Sequence, residues 1–561
     1  MAFIMTIAFP QAFHAPVYNS AIAYLKARNF PMAEAHLRRS IAEEGATALS
    51  FHYLAQVLSQ MGGRQKDALA PQAAALKLAP RHPVFIAALG LRLQDAGKEH
   101  EGLTLLEEAL AIDPNNLLAL PWALRLRRRF MLWTGQEQED AALATLLNSD
   151  YQIDPLMLLT YVDDPLIQLK YAGLSAPRVA EKPMKAHAAH EKIRIGYFSA
   201  DFYQHATMHL MKGLLREHDR DRFEFNIYDL KPVLTDTDSE FVREFADVYH
   251  DVSSLTADQI ADLARKDEID IAIDLKGQTK EARPEIFALR AAPVQISFLG
   301  FPGTSAMQAM DYMVADKMTI PEGDERYFSE KIMRMPGCYQ PTDNARSPAQ
   351  KGNLRQNFGL PEDKFIFANF NHPHKVGPRE FAAWMRVLRE TSNSVLLYFT
   401  GGSDLTAELA RQATDHGVDP SRILTCGMIP QHEHLDRMAQ VDLCLDCFAY
   451  NAHTTASDAL WAGVPLLTLC GSQFSARVAT SILSAAGIDG LSVTSENAFV
   501  DKAVALSQDP DATSALKAQI ARNRESCSLF DTIAWTSNFE HLLEKAHARR
   551  VAGQPPAHLS V

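Results

Sequence analysis

Residues Asp442–Leu469 read DLCLDCFAYNAHTTASDALWAGVPLLTL. The run DLCLD (Asp442–Asp446) has strand texture, the polar stretch Tyr450–Asp458 follows it and opens the helical run ALWAG, and PLLTL (Pro465–Leu469) returns to strand texture. Such alternation predicts α/β architecture with mainly parallel sheets.

The same texture extends outward. IRIGYF (Ile193–Phe198), FEFNIYDL (Phe223–Leu230) and IDIAIDL (Ile269–Leu275) form one series, and FIFANF (Phe365–Phe370) with SVLLYF (Ser394–Phe399) joins the quoted stretch in a second. The polar segment Asp343–Gly352 separates them, which predicts two facing α/β domains with a cleft between. The expected division is 1–190, helical repeats and a helical linker; 191–350, a first catalytic domain; and 351–561, a nucleotide-sugar-binding domain with terminal helices.

Before this region a repeat is visible by subtraction. Gly63 and Gly97, Ala75 and Ala109, Leu76 and Leu110, and Pro80 and Pro114 are each 34 positions apart, the tetratricopeptide period. A further step of 34 keeps Ala35, Ile41 and Ala42 in register but places Asn29 for the glycine and Ala46 for the proline. Three stacked helix pairs are predicted between about residues 17 and 120, with a concave face suited to a peptide or to serve as a spacer.

Composition limits the function classes. With 561 residues, 47% hydrophobic and 22% charged, the chain should fold into several cores. The net charge of -13 is spread over mixed-sign stretches without a basic block, which argues against a nucleic-acid partner. Six cysteines are too sparse for a disulfide framework and fit a reducing cytoplasm. The opening MAFIMTIAF lacks a basic flank, and no apolar stretch reaches membrane-spanning length, so neither export nor a membrane span is expected.

Ligands of open α/β sheets lie at the carboxyl ends of strands, and four such places carry candidate chemistry. His453, Thr454 and Thr455 form a polar turn at a helix start, where free N–H groups and the helix dipole favour an anion such as a diphosphate; simple N-capping is the plain alternative. Asn371-His372-Pro373-His374-Lys375 follows FIFANF, where Lys375 suits a departing phosphate or is a solvated surface charge. His205 and His209 follow the first strand and suit acid–base work or hydroxyl positioning, against plain helix packing. Gly300-Phe301-Pro302-Gly303 is a turn that backbone ligands approach closely, or an ordinary tight turn. Metal binding is not expected. His205 and His209 lack an HExxH glutamate, Asp236-Thr237-Asp238 lies in a polar stretch away from a strand end, and Cys444 and Cys447 read as core cysteines.

Taken in order, the long segments IRIGYFSADFYQHATMHLM, IDLKGQTKEARPEIFALRAAPVQISFLGFPGTS with MDYMVAD, FSEKIMRMPGCYQPTD, FANFNHPHK and LDCFAYNAHTTASDALWAGVPLLTL resemble the O-linked N-acetylglucosamine transferases. These are tetratricopeptide-linked protein glycosyltransferases with a two-domain GT-B catalytic region, and the resemblance covers nearly the whole chain. It implies metal-independent, inverting transfer of a sugar from a nucleotide donor to Ser or Thr of a protein held by the repeats, with no cofactor beyond that donor. By resemblance His205 is the active-site histidine, Lys375 stabilises the leaving diphosphate, and either His205 or Asp267 accepts the proton. The nucleotide side falls to His372, Gln431, His434, Arg437, His453, Thr454, Thr455 and Asp458, and the sugar side to Thr279, Leu299, Gly300 and Pro302.

Three departures surround the donor: His374 stands before Lys375 where the family has Tyr, Gln431 where animal enzymes have Lys, and Gln278 where Tyr or His is common. A bacterial subgroup with the same plan modifies flagellin from a CMP-nonulosonic acid such as CMP-pseudaminic acid, so UDP-N-acetylglucosamine and a CMP donor both stay open. A sugar-nucleotide epimerase and a non-catalytic repeat scaffold are the readings from other classes.

Overall fold

The computed structural model describes residues 16–27, 29–61, 63–133, 135–149, 151–179, 182–184, 190–233, 236–347, 349 and 354–561. The apolar opening 1–9 lies outside them, as do parts of both expected boundaries, 181–191 and 343–352. The chain divides into two units, Met1–Tyr151 and Gln152–Val561.

The first unit is helical: α1 (Pro16–Lys26), α2 (Phe30–Glu43), α3 (Ala48–Gln60), α4 (Leu69–Leu78), α5 (Pro83–Asp95), α6 (Glu99–Ile112), α7 (Leu120–Arg129) and α8 (Gln136–Leu147). The first six pack as the three expected pairs, α1 on α2, α3 on α4 and α5 on α6. Gly63 and Gly97 take φ of +76° and +82° at the turn inside their pairs, a backbone that side chains resist, which explains the repeated glycine. In the first pair Asn29 instead caps α2, its side chain accepting from Met32 N at 3.3 Å. Between α7 and α8, Arg128 and Glu139 form a buried two-pronged ion pair at 2.8 and 2.5 Å.

The second unit starts with α9 (Pro155–Leu158) and α10 (Pro165–Ser175), earlier than the expected boundary at 190. Its polar contacts explain why. Asp163 accepts from Ser472 N and Gln473 N at 2.8 and 2.7 Å, and Gln473 donates to Leu159 O at 3.0 Å.

Two parallel sheets follow. The first has β1 (Ile193–Ser199), β2 (Phe223–Asp229), β3 (Val248–Asp251), β4 (Ile271–Asp274), β5 (Val294–Ser297), β6 (Tyr312–Asp316) and β7 (Lys331–Met335), with α11 (Ala206–Glu217), α12 (Thr237–Phe245), α13 (Ala257–Lys266) and α14 (Glu285–Ala288) in its connections. The second has β8 (Phe365–Asn369), β9 (Ser394–Phe399), β10 (Ile423–Cys426), β11 (Leu443–Leu445), β12 (Leu466–Leu469) and β13 (Ser492–Val493), in the order β10-β9-β8-β11-β12-β13. With it go α15 (Pro378–Glu390), α16 (Thr406–Asp415), α17 (Gln431–Met438), α18 (Thr454–Trp461), α19 (Val478–Ala485), α20 (Glu496–Gln508) and α21 (Pro510–Asn523). Strands buried on both faces read as continuous apolar runs, which is why periodicity located them.

The expected domain 351–561 needs one correction. The last helix, α22 (Thr532–Val551), and the short strand β14 (Leu559–Ser560) belong to the first sheet, whose order is β14-β7-β6-β5-β4-β1-β2-β3. The physical reason is burial: Trp535, Phe539, Leu542, Leu543 and Ala546 share one core with Ile195, Tyr197, Ile273, Ile296 and Met335. Phe539 stacks on Phe298 at 5.2 Å, and Trp535 Nε1 donates to Cys338 O at 2.9 Å.

Phe539→Ala should therefore destabilise the first sheet by about 3–5 kcal/mol. Urea unfolding followed by tryptophan fluorescence checks this, and an unchanged midpoint would contradict the placement of α22.

Candidate active site

The candidate site draws polar groups from several connections that leave the carboxyl ends of strands. After β8 the chain makes a 3-10 turn, Pro373–Lys375, with Lys375 N bonded to His372 O at 2.9 Å. This aims the lysine at the loop that follows β11, where its Nζ donates to Asn451 O at 3.0 Å and stands 3.8 Å from the centre of the Tyr450 ring. Burial pushes the Lys375 pKa down to about 8, against the opposing pull of the Asp446 carboxylate.

Asp446 lies beneath this loop with its carboxyl pushed up to about 6 by burial. It accepts from Cys447 N, Ala452 N and Thr468 Oγ1, each at 2.7 Å, and from Asn371 Nδ2 at 3.2 Å. These bonds fix the loop so that α18 begins at Thr454. Thr454 and Thr455 are first-turn residues, whose backbone N–H groups have no acceptor within their own helix.

The His453 ring is engaged by a neighbouring loop. Its Nε2 lies 3.2 Å from Ser475 O, a carbonyl that can only accept, so Nε2 carries the proton. Burial and then the Lys375 charge hold its pKa well below the ordinary value, so the ring is neutral. It presents an acceptor, and the anion donors here are the amides and hydroxyls of Thr454 and Thr455.

Nearby, α17 carries the second group of residues expected on the nucleotide side. Arg437 donates to His434 Nδ1 at 2.9 Å and to Gly427 O at 2.9 Å, and His434 meets Phe370 edge-on at 5.0 Å. Burial pushes the His434 pKa down to about 4. The amide nitrogen of Gln431, the first residue of α17, is buried without a hydrogen-bond partner among the described residues. His372 is exposed, its Nδ1 2.6 Å from that of His374. Asp458 is ion-paired with Arg346, and its charge acts on both His434 and His209, which brings α11 of the first sheet opposite α18 of the second.

On the first sheet, His205 caps α11, its Nδ1 accepting from Thr207 N at 3.2 Å. Burial lowers its pKa, Asp201 opposes that shift and Lys276 adds to it, so the ring is neutral with its proton on Nε2. In this state it is a hydrogen-bond donor. Beside it Lys276 Nζ and Asp201 Oδ2 form a buried ion pair at 2.6 Å, at the ends of neighbouring strands β1 and β4. Spacing along the chain does not reveal this pair, because its partners are 75 residues apart.

The turn expected on the sugar side follows β5. Leu299 takes φ +68°, and a Cβ on Gly300 would sit 2.1 Å from Leu275 O, so only glycine fits there. Pro302 is buried behind it, and the buried Glu330 accepts from Thr304 Oγ1 and Ser305 N, each at 2.6 Å. Thr279 Oγ1 donates to Lys276 O at 2.9 Å. Gln278 donates to Ala172 O at 3.2 Å and Ser305 O at 3.0 Å, so it ties α10 to this turn.

Asp267 is not brought to His205. It ends α13, its carboxylate accepts from Tyr228 Oη at 2.7 Å, and its carbonyl accepts from Arg194 Nη1 at 3.1 Å. Arg194 stands near the start of β1, about five residues or 16 Å before the end that precedes His205. The carboxylate nearest the histidine is Asp201, 3.7 Å from Nδ1.

Among the described residues no group of three or more His, Cys, Asp or Glu is arranged to hold a metal, and no helix is long and apolar enough to cross a membrane.

The chain matches a known family. The sequence profile described as Glycosyl transferase family 41 matches residues 177–347 and 342–539, more than half of the chain. An Arabidopsis thaliana protein, the probable UDP-N-acetylglucosamine–peptide N-acetylglucosaminyltransferase SEC, is 34% identical over 433 residues, covering 73% of this chain and 44% of its own. The UDP-N-acetylglucosamine–peptide N-acetylglucosaminyltransferase of Caenorhabditis elegans is 26% identical over 483 residues, covering 66% of this chain and 42% of its own. The chain thus spans less than half the length of these curated relatives. A mutant Thermobaculum terrenum O-GlcNAc transferase shares the fold, with a TM-score of 0.64, 23% identity and coverage of 97% of this chain and 100% of that one. Helical repeats followed by a two-sheet GT-B region are thereby borne out, and the chain belongs to glycosyl transferase family 41.

Proposed function

We propose that this protein transfers N-acetylglucosamine from its UDP conjugate to Ser or Thr hydroxyls of a protein acceptor, with inversion at the anomeric carbon and without a metal. The observation that carries the reading is the meeting of the Lys375 ammonium with the start of α18, two positive features beside a loop braced by buried Asp446. Such a site suits a diphosphate whose charge grows as the sugar leaves. The names of the relatives supply the uridine nucleotide and the sugar.

In this mechanism the diphosphate oxygens lie against the Thr454 and Thr455 amides, and Lys375 meets the charge left by the breaking glycosidic bond. The acceptor oxygen attacks from the opposite face of the sugar. His205, donating from Nε2, orients a donor or acceptor oxygen. Asp267 is engaged by Tyr228 and His250 away from His205, so the hydroxyl proton passes through water to solvent as the new glycosidic bond forms and UDP departs with the electron pair of the old one. The helical repeats offer the surface for the acceptor protein, and the positive charge at Lys375 and α18 stands in for a metal.

Release of UDP from UDP-N-acetylglucosamine, driven by a Ser/Thr peptide array, tests the proposal. Lys375→Ala should lower kcat by about two to three orders of magnitude while leaving the circular dichroism spectrum intact, and EDTA should leave wild-type turnover unchanged. Full activity in Lys375→Ala would remove the lysine from the mechanism, and donor turnover that ignores peptide would favour a small-molecule enzyme.

The pH profile follows from the same groups. Lys375 is charged below about 8, so kcat/KM should be high below that pH and fall as the lysine loses its proton above it. His205 and His453 are both lowered from 6.5, so their protonation bears only on the acid side. An alkaline limb beyond pH 10 would contradict the assignment.

A further inference from the structure

We infer that Tyr450 is a positioning residue for Lys375, its ring face holding the lysine ammonium in the charged state and aimed at the donor phosphate. The inference rests on the transfer reading for the identity of the phosphate, but its geometry stands without it. The ammonium lies 3.8 Å from the ring centre, well within cation–π range, and one of its N–H groups is taken by Asn451 O at 3.0 Å. The ring also lies 4.9 Å from that of His453, so Tyr450 neighbours both the lysine and the residue before α18. With one side of the ammonium covered by the ring and one proton fixed on a carbonyl, its free donation is restricted to the remaining side.

The groups facing Lys375 come from the end of β11, the connecting loop and the start of α18. Cys447 is pushed far above its ordinary pKa and stays a thiol, and His453 is held neutral. Asp446 attracts the ammonium, but its oxygens are occupied by four hydrogen bonds from its own surroundings. Among the described residues the ring and the Asn451 carbonyl are the attractive groups in direct contact. Burial raises the Tyr450 hydroxyl, so the ring stays an uncharged phenol throughout the range in which Lys375 titrates.

The ring and not the hydroxyl is the active element, which sets the test. Competitive acetylation of the full, ligand-free chain with acetic anhydride, read by mass spectrometry of the Lys375 peptide across pH, gives the lysine's pKa with no need for turnover. Tyr450→Phe should keep the wild-type value, and Tyr450→Leu should lower it by about one unit. In the same variants the alkaline limb of kcat/KM for UDP-N-acetylglucosamine should move down with Leu and stay with Phe.

An unchanged Lys375 pKa in Tyr450→Leu, or an equal fall in Tyr450→Phe, would overturn the inference. Should the Leu variant not fold, Tyr450→Met removes the ring equally. A wild-type chain that neither binds UDP nor turns over the donor would overturn the transfer reading, while the labelling experiment would still decide the role of Tyr450.

Discussion

A charge withdrawn from water has to be compensated, and the arrangement around Lys375 answers that requirement. Desolvating an ammonium costs several kcal/mol even after relaxation, and among the described residues no carboxylate pairs with it directly. A carbonyl, an aromatic face and the field of a more distant carboxylate share the task. That leaves the lysine charged near neutral pH but still short of anionic partners. The start of α18 adds positive potential beside it, so this corner of the fold suits an anionic ligand.

Everything else that positions the site follows from parallel pairing. Both sheets send their carboxyl ends into connections, and those connections carry Asp201, His205, Lys276, Gly300, Lys375 and His453. The sheets are braced from outside the consecutive sequence: α22 returns to complete the first core, and Asp163 of the linker clamps the amides of Ser472 and Gln473, near the Ser475 carbonyl that holds His453. The loop that carries His453 is thus tied to a segment about three hundred residues away.

Much of this was legible in the chain. The 34-residue period located the helix pairs because glycine is needed at the Gly63 and Gly97 turns, and the apolar runs located the strands because both faces are covered. The polar turn at His453–Asp458 and the place of Lys375 after β8 followed from the rule for strand ends. What escaped depends on long-range contact. The boundary fell at Tyr151 because the linker helices bond to distant loops, and α22 with β14 left the second sheet for the first. The Asp201–Lys276 pair and the Tyr450 contact join residues that no local pattern connects, and Asp267 lies at the opposite end of its strands from His205. The donor-proximal departures were visible, but only the structure gives Gln278 its task of tying α10 to the Gly300 turn.

The central claim is that a uridine diphosphate is held by Lys375 and the start of α18. Calorimetric titration of the full chain with UDP and, separately, with CMP, in wild type and in Lys375→Ala, tests it most directly. The account predicts that UDP binds in preference to CMP and that the variant loses at least about tenfold in UDP affinity. Preference for CMP, or UDP affinity indifferent to Lys375, would contradict it.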